Sequence, residues 1–380
     1  MIPIALPMLG EEEAEAARAA VLSGWVSQGP QVAEFEREFA AFVGAPFACA
    51  VSNCTTALHL ALVALGVGIG DEVITVSHSF IATANVIRYV GATPVFVDIE
   101  TGGYNIDPKR AEEAITPRTR ALLVVHQMGM PCDLRALAAL AERHGLVLIE
   151  DAACAAGSQF HNGAGWEPIG RPRGAVACFS FHPRKVITTG EGGMLTTADP
   201  RLNDKFKLLR QHGMSVSDTI RHGSPQVIFE NYSIVGYNYR MTDIQASIGR
   251  KQLERLPTLV ARRRALAARY GELLRGVEGL RLPFEPDWAR SNWQSYCVRL
   301  PDRTDQRDLM QRLLERGIAT RRGVMCAHRE APYADEGRRV DLRQSERAQD
   351  HAIMLPLYVQ MSADDQERVA DVLTSELSRG

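Results

Sequence analysis

The 380-residue sequence lacks several features that would place it in a class of protein at once. No apolar stretch approaches the ~20 residues needed to span a bilayer. The N-terminal segment has no basic flank and contains prolines at positions 3 and 7, so it does not read as a signal peptide. The formal net charge is −2, which gives no indication of binding to nucleic acid or to an anionic membrane.

Paired cysteines and metal-ligand motifs are also missing. The seven cysteines are scattered, odd in number and form no CxxC pair. The histidines and cysteines show no metal-ligand spacing, so the sequence predicts no metal site. Cysteine use of this kind is typical of a reduced, cytoplasmic protein without a disulfide framework.

Short apolar runs alternate with helical patterns over the first two thirds of the chain. The predicted strands are Phe47–Val51, Val73–Val76, Val95–Asp98, Ala121–Val125, Leu146–Glu150, Val176–Phe181 and Met194–Thr197. Helices are predicted over Thr55–Leu65 and Asp133–His144, the second with Asp133 as its N-cap and Gly145 as its stop. Near-continuous apolar strands are typical of sheets buried on both faces. The alternation predicts an α/β fold with a mostly parallel sheet covered by helices.

The pattern changes from about Leu253 onwards. The later part of the chain is predicted to contain a helix (about 253–275), a strand (Ser295–Leu300), a helix (305–316), an arginine-rich polar loop (329–345) and an amphipathic helix (363–378). We therefore predict a large α/β domain over 1–250 and a smaller α+β domain over 251–380.

Polar residues follow five of the predicted strands. They are Asn53-Cys54-Thr55, His78-Ser79-Phe80, His126-Gln127, Asp151 and the stretch Ser180–Lys185. Ligands of open α/β sheets bind outside the carboxyl ends of the strands. The sequence therefore predicts one site along this edge of the sheet.

Lys185 and Asp151 are the most informative pair in that site. Lys185 closely follows a buried strand and precedes the glycine-rich turn 190–193, whereas Asp151 ends a strand 34 positions upstream. A lysine that forms a Schiff base and an aspartate that pairs with a pyridinium nitrogen are the groups that pyridoxal phosphate (PLP) requires. Considered by itself, Lys185 could be a surface lysine, and Asp151 could cap a helix or bind a metal. We expect desolvation or the neighbouring Arg184 to lower the pKa of the Lys185 amine.

Further residues of the predicted edge suit the phosphate and the ring of such a cofactor. Cys54 and Thr55 stand where a helix begins, so free backbone N–H groups face an anion there. Ser180 offers a second hydroxyl. Phe80, in an otherwise polar loop, has a ring that stacks on a cofactor. Each has a plainer interpretation as a helix cap or a core aromatic.

Two other patterns do not carry chemistry. The glycines of 66–70 resemble part of a dinucleotide-binding motif, but they precede a strand where that motif follows one, so a nicotinamide dehydrogenase is disfavoured. No GxSxG nucleophile elbow is present.

Taken in order, the motifs resemble the DegT/StrS-type sugar aminotransferases, which are PLP enzymes of fold-type I. The resemblance covers essentially the whole chain. It rests on Gly24–Pro30, Gly70–Ile74, Pro94–Asp98, Glu150–Ala153, Phe179–Lys185, Gly190–Gly193 and Gly236–Met241, and less tightly on Gly317–His328. One branch of the family replaces the lysine by histidine and dehydrates its sugar, so the presence of Lys185 favours transamination.

The resemblance implies a role for each residue of the predicted site. Lys185 carries the Schiff base and later moves the proton between the substrate Cα and the cofactor. Asp151 pairs with the pyridine nitrogen, Phe80 stacks on the ring, and Thr55 and Ser180 hold the phosphate.

The resemblance also implies a homodimer with shared active sites. Asn238 would reach the phosphate of the partner subunit's cofactor. Cys154 occupies a position near the cofactor's phenolic oxygen where relatives more often have His or Gln. A cysteine donates hydrogen bonds poorly, so this contact is expected to differ.

The segment Arg321–Cys326 departs from the tyrosine-containing version of the family. Arg321, Arg322 and His328 are candidates for binding the donor carboxylate or a substrate phosphate, because arginine forms bidentate pairs with both.

The resemblance implies transfer of an amino group from an amino acid, L-glutamate in our prediction, to a keto sugar carried on a nucleotide, by ping-pong kinetics. Two alternatives stay open: a glutamine-dependent aminotransferase of a cyclitol ketone, and a PLP-binding regulatory protein without turnover.

Overall fold

A central seven-stranded sheet organises the computed structural model, which describes residues 1–216, 221, 224–336 and 340–378. The strands are β1 (Phe47–Val51), β2 (Glu72–Val76), β3 (Thr93–Val97), β4 (Thr119–Val125), β5 (Val147–Asp151), β6 (Gln159–His161), β7 (Trp166–Pro168), β8 (Val176–Ser180), β9 (Gly193–Thr197), β10 (Ala289–Arg290), β11 (Tyr296–Arg299), β12 (Arg321–Arg322) and β13 (Ala352–Leu355). The helices are α1 (Glu11–Ser23), α2 (Pro30–Val43), α3 (Cys54–Ala64), α4 (Ala82–Tyr89), α5 (Pro108–Glu113), α6 (Leu134–His144), α7 (Pro200–Leu209), α8 (Asp243–Leu273), α9 (Gln306–Glu315), α10 (Arg343–Asp350) and α11 (Ala363–Leu377).

The sheet has the order β1-β9-β8-β5-β4-β2-β3, and within it only β9 pairs antiparallel with its neighbours. All seven strands predicted from the sequence belong to it. Their side chains are buried almost without exception because helices pack on both faces. The prediction of an α/β fold with a mostly parallel sheet is confirmed.

The register of β9 aligns the two strands on either side of it. Val51 at the end of β1 pairs with Gly193, and Gly193 pairs with Ser180 at the end of β8. A Cβ on Gly193 would lie 2.5 Å from the Asn53 carbonyl oxygen, so only glycine allows β9 to begin this close to the start of α3. The chain segments that follow β1 and β8 therefore leave the same edge of the sheet.

Both helices predicted between strands are present: α3 begins at Cys54, one residue before the predicted start, and α6 begins after the predicted cap Asp133. The Asn53 side chain accepts from Thr56 N at 2.9 Å at the start of α3. Asp133 caps α6 by accepting from Ala136 N, and Gly145 ends that helix with a φ of 63°. Because the first N–H groups of a helix lack partners within it, caps of this kind fix where each helix starts.

The later part of the chain builds a three-stranded sheet, β11-β13-β12, with α9 and α11 packed on it. Residue 2 also belongs here, since Ile2 pairs with Ile318 and lies in the same apolar cluster. Helix α8 passes through residue 250: Leu256 packs in the core around the large sheet, and Leu266 packs in this second cluster. The division into domains at residue 250 stays a prediction.

Two sequence-based predictions for this part differ from the structure. Helix α8 begins at Asp243, ten residues before the predicted start, because Thr242 and Gln245 form a capping box there. The loop predicted over 329–345 includes the start of α10, and its residues 337–339 lie outside the described part of the chain. Among the described residues, no helix has the length and apolar character needed to cross a membrane.

Candidate active site

Lys185 and Asp151 meet because β8 and β5 are neighbours in the sheet. Asp151 is the last residue of β5, and Lys185 follows β8 in a turn closed by the bond from Lys185 N to His182 O at 2.8 Å. The Lys185 Nζ donates to the Sγ of Cys154 at 3.1 Å, and Cys154 comes three residues after Asp151. The amine therefore lies over the carboxyl end of β5.

The surroundings of the Lys185 amine are acidic. Burial on its own lowers the pKa of Lys185, but the contact with Cys154 and the charge of Asp151 outweigh it, so the net direction is upward. Arg184 is exposed and has no part in this shift. The expectation that Arg184 or desolvation leaves a lowered pKa is therefore wrong for the protein without its cofactor.

The Asp151 carboxylate is buried and held on both oxygens. Its Oδ2 accepts from the Thr83 hydroxyl at 2.9 Å, and its Oδ1 accepts from Ala153 N at 3.2 Å. Burial raises the pKa of Asp151, whereas the bonds from Thr83 and Ala153 and the charge of Lys185 lower it; the net direction is upward. A positively charged ring nitrogen beside this carboxylate would favour its ionised form.

Thr83 is a positioning residue that the sequence analysis did not single out. It is buried in the first turn of α4, and its hydroxyl also meets the Ser79 hydroxyl at 2.9 Å. The two hydroxyls form a chain that ends on Asp151. Nothing in the local sequence links Thr83 to Asp151, because the two lie 68 positions apart.

Replacing Thr83 with valine is expected to lower kcat roughly tenfold, because a charge-assisted hydrogen bond to Asp151 is lost. That bond lowers the pKa of Asp151, so its loss raises the pKa further. Since the ionised carboxylate is the active form, the acid limb of the kcat–pH profile should move to higher pH.

The matched control is Thr83→Ser, which keeps the hydroxyl and should restore both kcat and the profile. Equal kcat–pH profiles for the valine and serine variants would show that Thr83 does not act through Asp151.

The residues predicted to hold the phosphate lie at the start of α3 and at the end of β8. Thr55 occupies the first turn of this helix, half-buried and with its side chain in no hydrogen bond within the described residues. Ser180 ends β8, two strands away in the sheet, and is buried at the same edge. Cys54 is buried, donates to Cys178 O at 3.6 Å and has a pKa raised by burial, so it remains a thiol. A helix N-terminus with two hydroxyls nearby suits a phosphate.

Phe80 and Asn238 are both exposed in the single chain. Phe80 follows β2, and its side chain is 62% exposed, in contrast to the buried residues on either side of the loop. Asn238 forms an isolated antiparallel β-bridge with Gln211. It lies between Tyr237 and Tyr239, whose stacked rings have centroids 4.9 Å apart. The structure gives Asn238 no contact with Lys185 of its own chain.

The residues predicted to bind substrate fall into two groups. Arg321 and Arg322 form β12 and are exposed. His328 is engaged through both ring nitrogens: Nδ1 with the Ser77 hydroxyl at 2.6 Å and Nε2 with Glu346 at 3.1 Å. His328 thus ties the 326–328 segment to the carboxyl end of β2.

Asn292 is a second positioning residue that the sequence analysis missed. Its Nδ2 donates to the carbonyl oxygens of Cys154 and Ala156, both at 2.8 Å, and its backbone N donates to the Ser158 hydroxyl. It is fully buried. No local pattern could have shown it, since these partners lie more than 130 positions earlier in the chain.

A partly buried lysine and a buried aspartate at neighbouring strand ends, with a helix N-terminus two strands away that suits a phosphate, are the groups that a PLP-dependent aminotransferase of fold-type I requires. The chain belongs to the DegT/DnrJ/EryC1/StrS aminotransferase family, whose family model matches residues 7–374.

Relatives match over nearly the full length. The spore coat polysaccharide biosynthesis protein SpsC of Bacillus subtilis (strain 168) is 40% identical over 378 residues, which cover 98% of this chain and 96% of SpsC. The crystal structure of the aminotransferase TlmJ from Streptoalloteichus hindustanus is 36% identical with a TM-score of 0.91, covering 100% of this chain and 99% of TlmJ. The sugar aminotransferase CalS13 from Micromonospora echinospora is 29% identical with a TM-score of 0.88, covering 99% of this chain and 100% of CalS13.

The protein is a PLP-dependent aminotransferase, and similar solved structures include a PLP form. The residues present fit this cofactor: a carboxylate held at both oxygens, an amine directly beside that strand end, an exposed aromatic ring, and a helix N-terminus with the hydroxyls of Thr55 and Ser180 at the same edge. When bound, PLP supplies the aldehyde that takes up an amino group and a ring that delocalises electron density.

Proposed function

We propose that the protein transfers the amino group of L-glutamate to a keto sugar carried on a nucleotide, in two half-reactions with ping-pong kinetics. The observation that carries the proposal is the meeting of Lys185 with the Asp151–Cys154 segment at the carboxyl edge of the sheet. The polysaccharide-related name of SpsC and the description of CalS13 as a sugar aminotransferase support a sugar acceptor. The seven free cysteines support a reduced, cytoplasmic location.

In this proposal Lys185 and Asp151 divide the chemistry between proton transfer and charge. The Lys185 Nζ would hold the cofactor covalently and would also move the proton of the substrate Cα. Asp151 keeps the ring nitrogen protonated, because its ionised carboxylate lies in a buried site where an opposite charge is strongly favoured. Thr83 and Ala153 orient that carboxylate.

Arg321 and Arg322 bind the donor carboxylate or the acceptor phosphate in the proposed reaction. Both guanidinium groups are exposed, and planar guanidinium groups pair with either anion through two hydrogen bonds. The nearby chain is anchored at the edge of the sheet, because His78 pairs with Cys326 and His328 bonds to Ser77. His328 therefore acts by fixing this segment, since both of its nitrogens are occupied.

We also propose that the active protein is a homodimer with shared active sites. Several apolar side chains before Asn238 are exposed in the single chain: Val227, Phe229, Tyr232 and Val235. Such an exposed apolar stretch favours burial against a second copy. Asn238 follows this stretch and is exposed, as expected of a residue that reaches the phosphate of the partner's cofactor.

Mixing two inactive variants tests the shared site. Asn238→Ala is expected to lose most of its activity at limiting PLP, and Lys185→Ala to lose nearly all. In a hybrid dimer, the site that keeps Lys185 receives its asparagine from the other subunit. Random pairing makes half of the dimers hybrids with one intact site of two, so about a quarter of the wild-type activity should return. No recovery after verified subunit exchange would place Asn238 in the site of its own chain.

An absorption spectrum with L-glutamate tests the donor. Addition of L-glutamate to the PLP-loaded protein should bleach the visible band as the pyridoxamine form appears, and 2-oxoglutarate should form in equal amount. A spectrum unchanged by glutamate but bleached by glutamine would refute glutamate as the donor.

The acceptor is then tested by adding nucleotide-linked keto sugars or keto-inositol to the pyridoxamine form. Recovery of the visible band with keto-inositol alone would refute the sugar acceptor.

A further inference from the structure

A second cleft lies beside the Lys185 site, at the same carboxyl edge of the sheet. The loop after β3, the turn after β4 and the 283–297 segment enclose about 570 Å³, including the open mouth. Lys185, Asp151 and Phe80 do not line it. Its walls are mainly apolar, and the aromatic residues among them are Tyr104, Phe284, Trp288 and Trp293. A concave, largely apolar site with few polar groups is the usual form of a small-molecule site.

The walls of this cleft are held in an unusual backbone conformation. Two lining residues, Met128 and Trp293, have left-handed φ values of 56° and 51°, which are rare for bulky side chains. Trp293 is fixed there by bonds from its N to the Ser291 hydroxyl and from Arg263 Nε to its carbonyl, at 2.9 and 2.8 Å. Backbone strain of this kind persists where the surroundings enforce it and is concentrated at ligand sites.

Glu100 is the one carboxylate that lines the cleft, and it has no counter-charge. The half-buried side chain makes no hydrogen bond or ion pair within the described part of the chain. The nearby Asp107 and Asp133 are engaged as helix caps with Lys109 N and Ala136 N. Burial, followed by the charges of Asp107 and Asp133, raises the pKa of Glu100 to about 7. A cation entering the cleft would relieve this uncompensated charge.

Two of the four aromatic rings make no ring contact with another described residue and are available to such a ligand. Tyr104 already has His78 at 5.7 Å and the Arg299 guanidinium at 5.3 Å from its centroid. Arg299 donates to Gly103 O and is not a partner of Glu100. The Trp293 ring packs on Tyr296 at 5.7 Å between centroids. Phe284, which is 61% exposed, and Trp288 remain. Aromatic faces attract organic cations and pack well on the C–H groups of a ring.

We propose that this cleft binds an amino sugar, with its ammonium group on Glu100 and its ring against Phe284 and Trp288. The requirement for a cation rests on Glu100 alone, whereas the choice of a sugar ring rests on the proposed function. The site thus holds the class of compound that the proposed reaction produces, in a cleft that Lys185 and Asp151 do not line.

Calorimetric titration of the protein loaded with pyridoxamine phosphate tests the site. This form carries no aldehyde, so amines cannot condense with the cofactor. The probes are D-glucosamine, D-glucose and N-acetyl-D-glucosamine, which share a ring and differ in charge at one position. Glucosamine is expected to bind at least about tenfold more tightly than the two neutral sugars, since a charge-assisted hydrogen bond contributes ~1.5–3 kcal/mol.

Three substitutions test whether the sugars bind in this cleft. Glu100→Gln removes the charge without leaving a broken ion pair, and it should abolish the preference for glucosamine. Glu112→Gln, an exposed carboxylate paired with Arg143, should keep the preference. Phe284→Ala should weaken all three sugars several-fold. Equal binding of the three sugars by the wild type, or an unchanged preference in Glu100→Gln, overturns the proposal. These results do not depend on turnover, so a failed transamination assay with Glu100-dependent glucosamine binding refutes only the proposed function.

Discussion

Replacing Lys185 with alanine is expected to lower the rate of amino transfer by roughly 10⁴-fold or more. The side chain is both the covalent anchor of the cofactor and the base that moves the proton at the substrate Cα, and each role alone accounts for several powers of ten. The rate is measured as 2-oxoglutarate formed from L-glutamate. The visible absorption of the bound cofactor should shift as well, because the covalent link is absent.

The fold should survive this substitution. The Lys185 Nζ makes one hydrogen bond, to a sulfur, which is a weak acceptor. Lys251→Ala provides the control, since that amine pairs only with the exposed Glu254 one helical turn away and should leave the rate unchanged. A Lys185→Ala protein that turns over at near the wild-type rate would rule out the mechanism.

Replacing Asp151 with asparagine is expected to lower kcat roughly 10²- to 10³-fold, the usual effect of removing one buried electrostatic contact from a reacting group. The amide matches the carboxylate in shape, and its oxygen can still accept one of the hydrogen bonds from Thr83 and Ala153. It carries no charge, so it does not hold the ring nitrogen in its protonated form. Single-turnover spectra with L-glutamate measure the step directly.

A second aspartate serves as the control for this change. Asp199 caps α7 by accepting from Arg201 N, and asparagine is as good a cap as aspartate, so Asp199→Asn should leave both rate and stability unchanged. If Asp151→Asn retains a wild-type single-turnover rate, the carboxylate is not the partner of the ring nitrogen.

Much of the sheet could be predicted because its strands are short apolar runs buried on both faces. The edge that carries Asp151 and the Ser180–Lys185 stretch followed from the same pattern, since polar residues come directly after the strands. The order of the strands in the sheet could not be predicted from these apolar runs. The hairpin of β6 and β7 lies between β5 and β8 in sequence, yet β8 pairs with β5 and brings Lys185 to Cys154.

The residues that sequence analysis missed act over long separations. Thr83 reaches Asp151 across 68 positions and Asn292 reaches Cys154 across 138. A single hydroxyl or amide has no periodicity, so nothing in the local sequence indicates its partner. The direction of the Lys185 pKa shift was predicted wrongly for the same reason. Arg184, its neighbour in sequence, is exposed, whereas the groups near its amine in space, Cys154 and Asp151, are acidic.

The pairing of Ile2 with Ile318 has a consequence for how the chain is made. A ribosome adding 5–20 residues per second needs roughly 15 to 60 s to pass from the first of these residues to the second. During that time the opening segment has no strand to join, while the parallel sheet upstream can already assemble. The contacts of Ile2 therefore form late in synthesis, and a chain released before position 318 lacks them as well as the elements that follow.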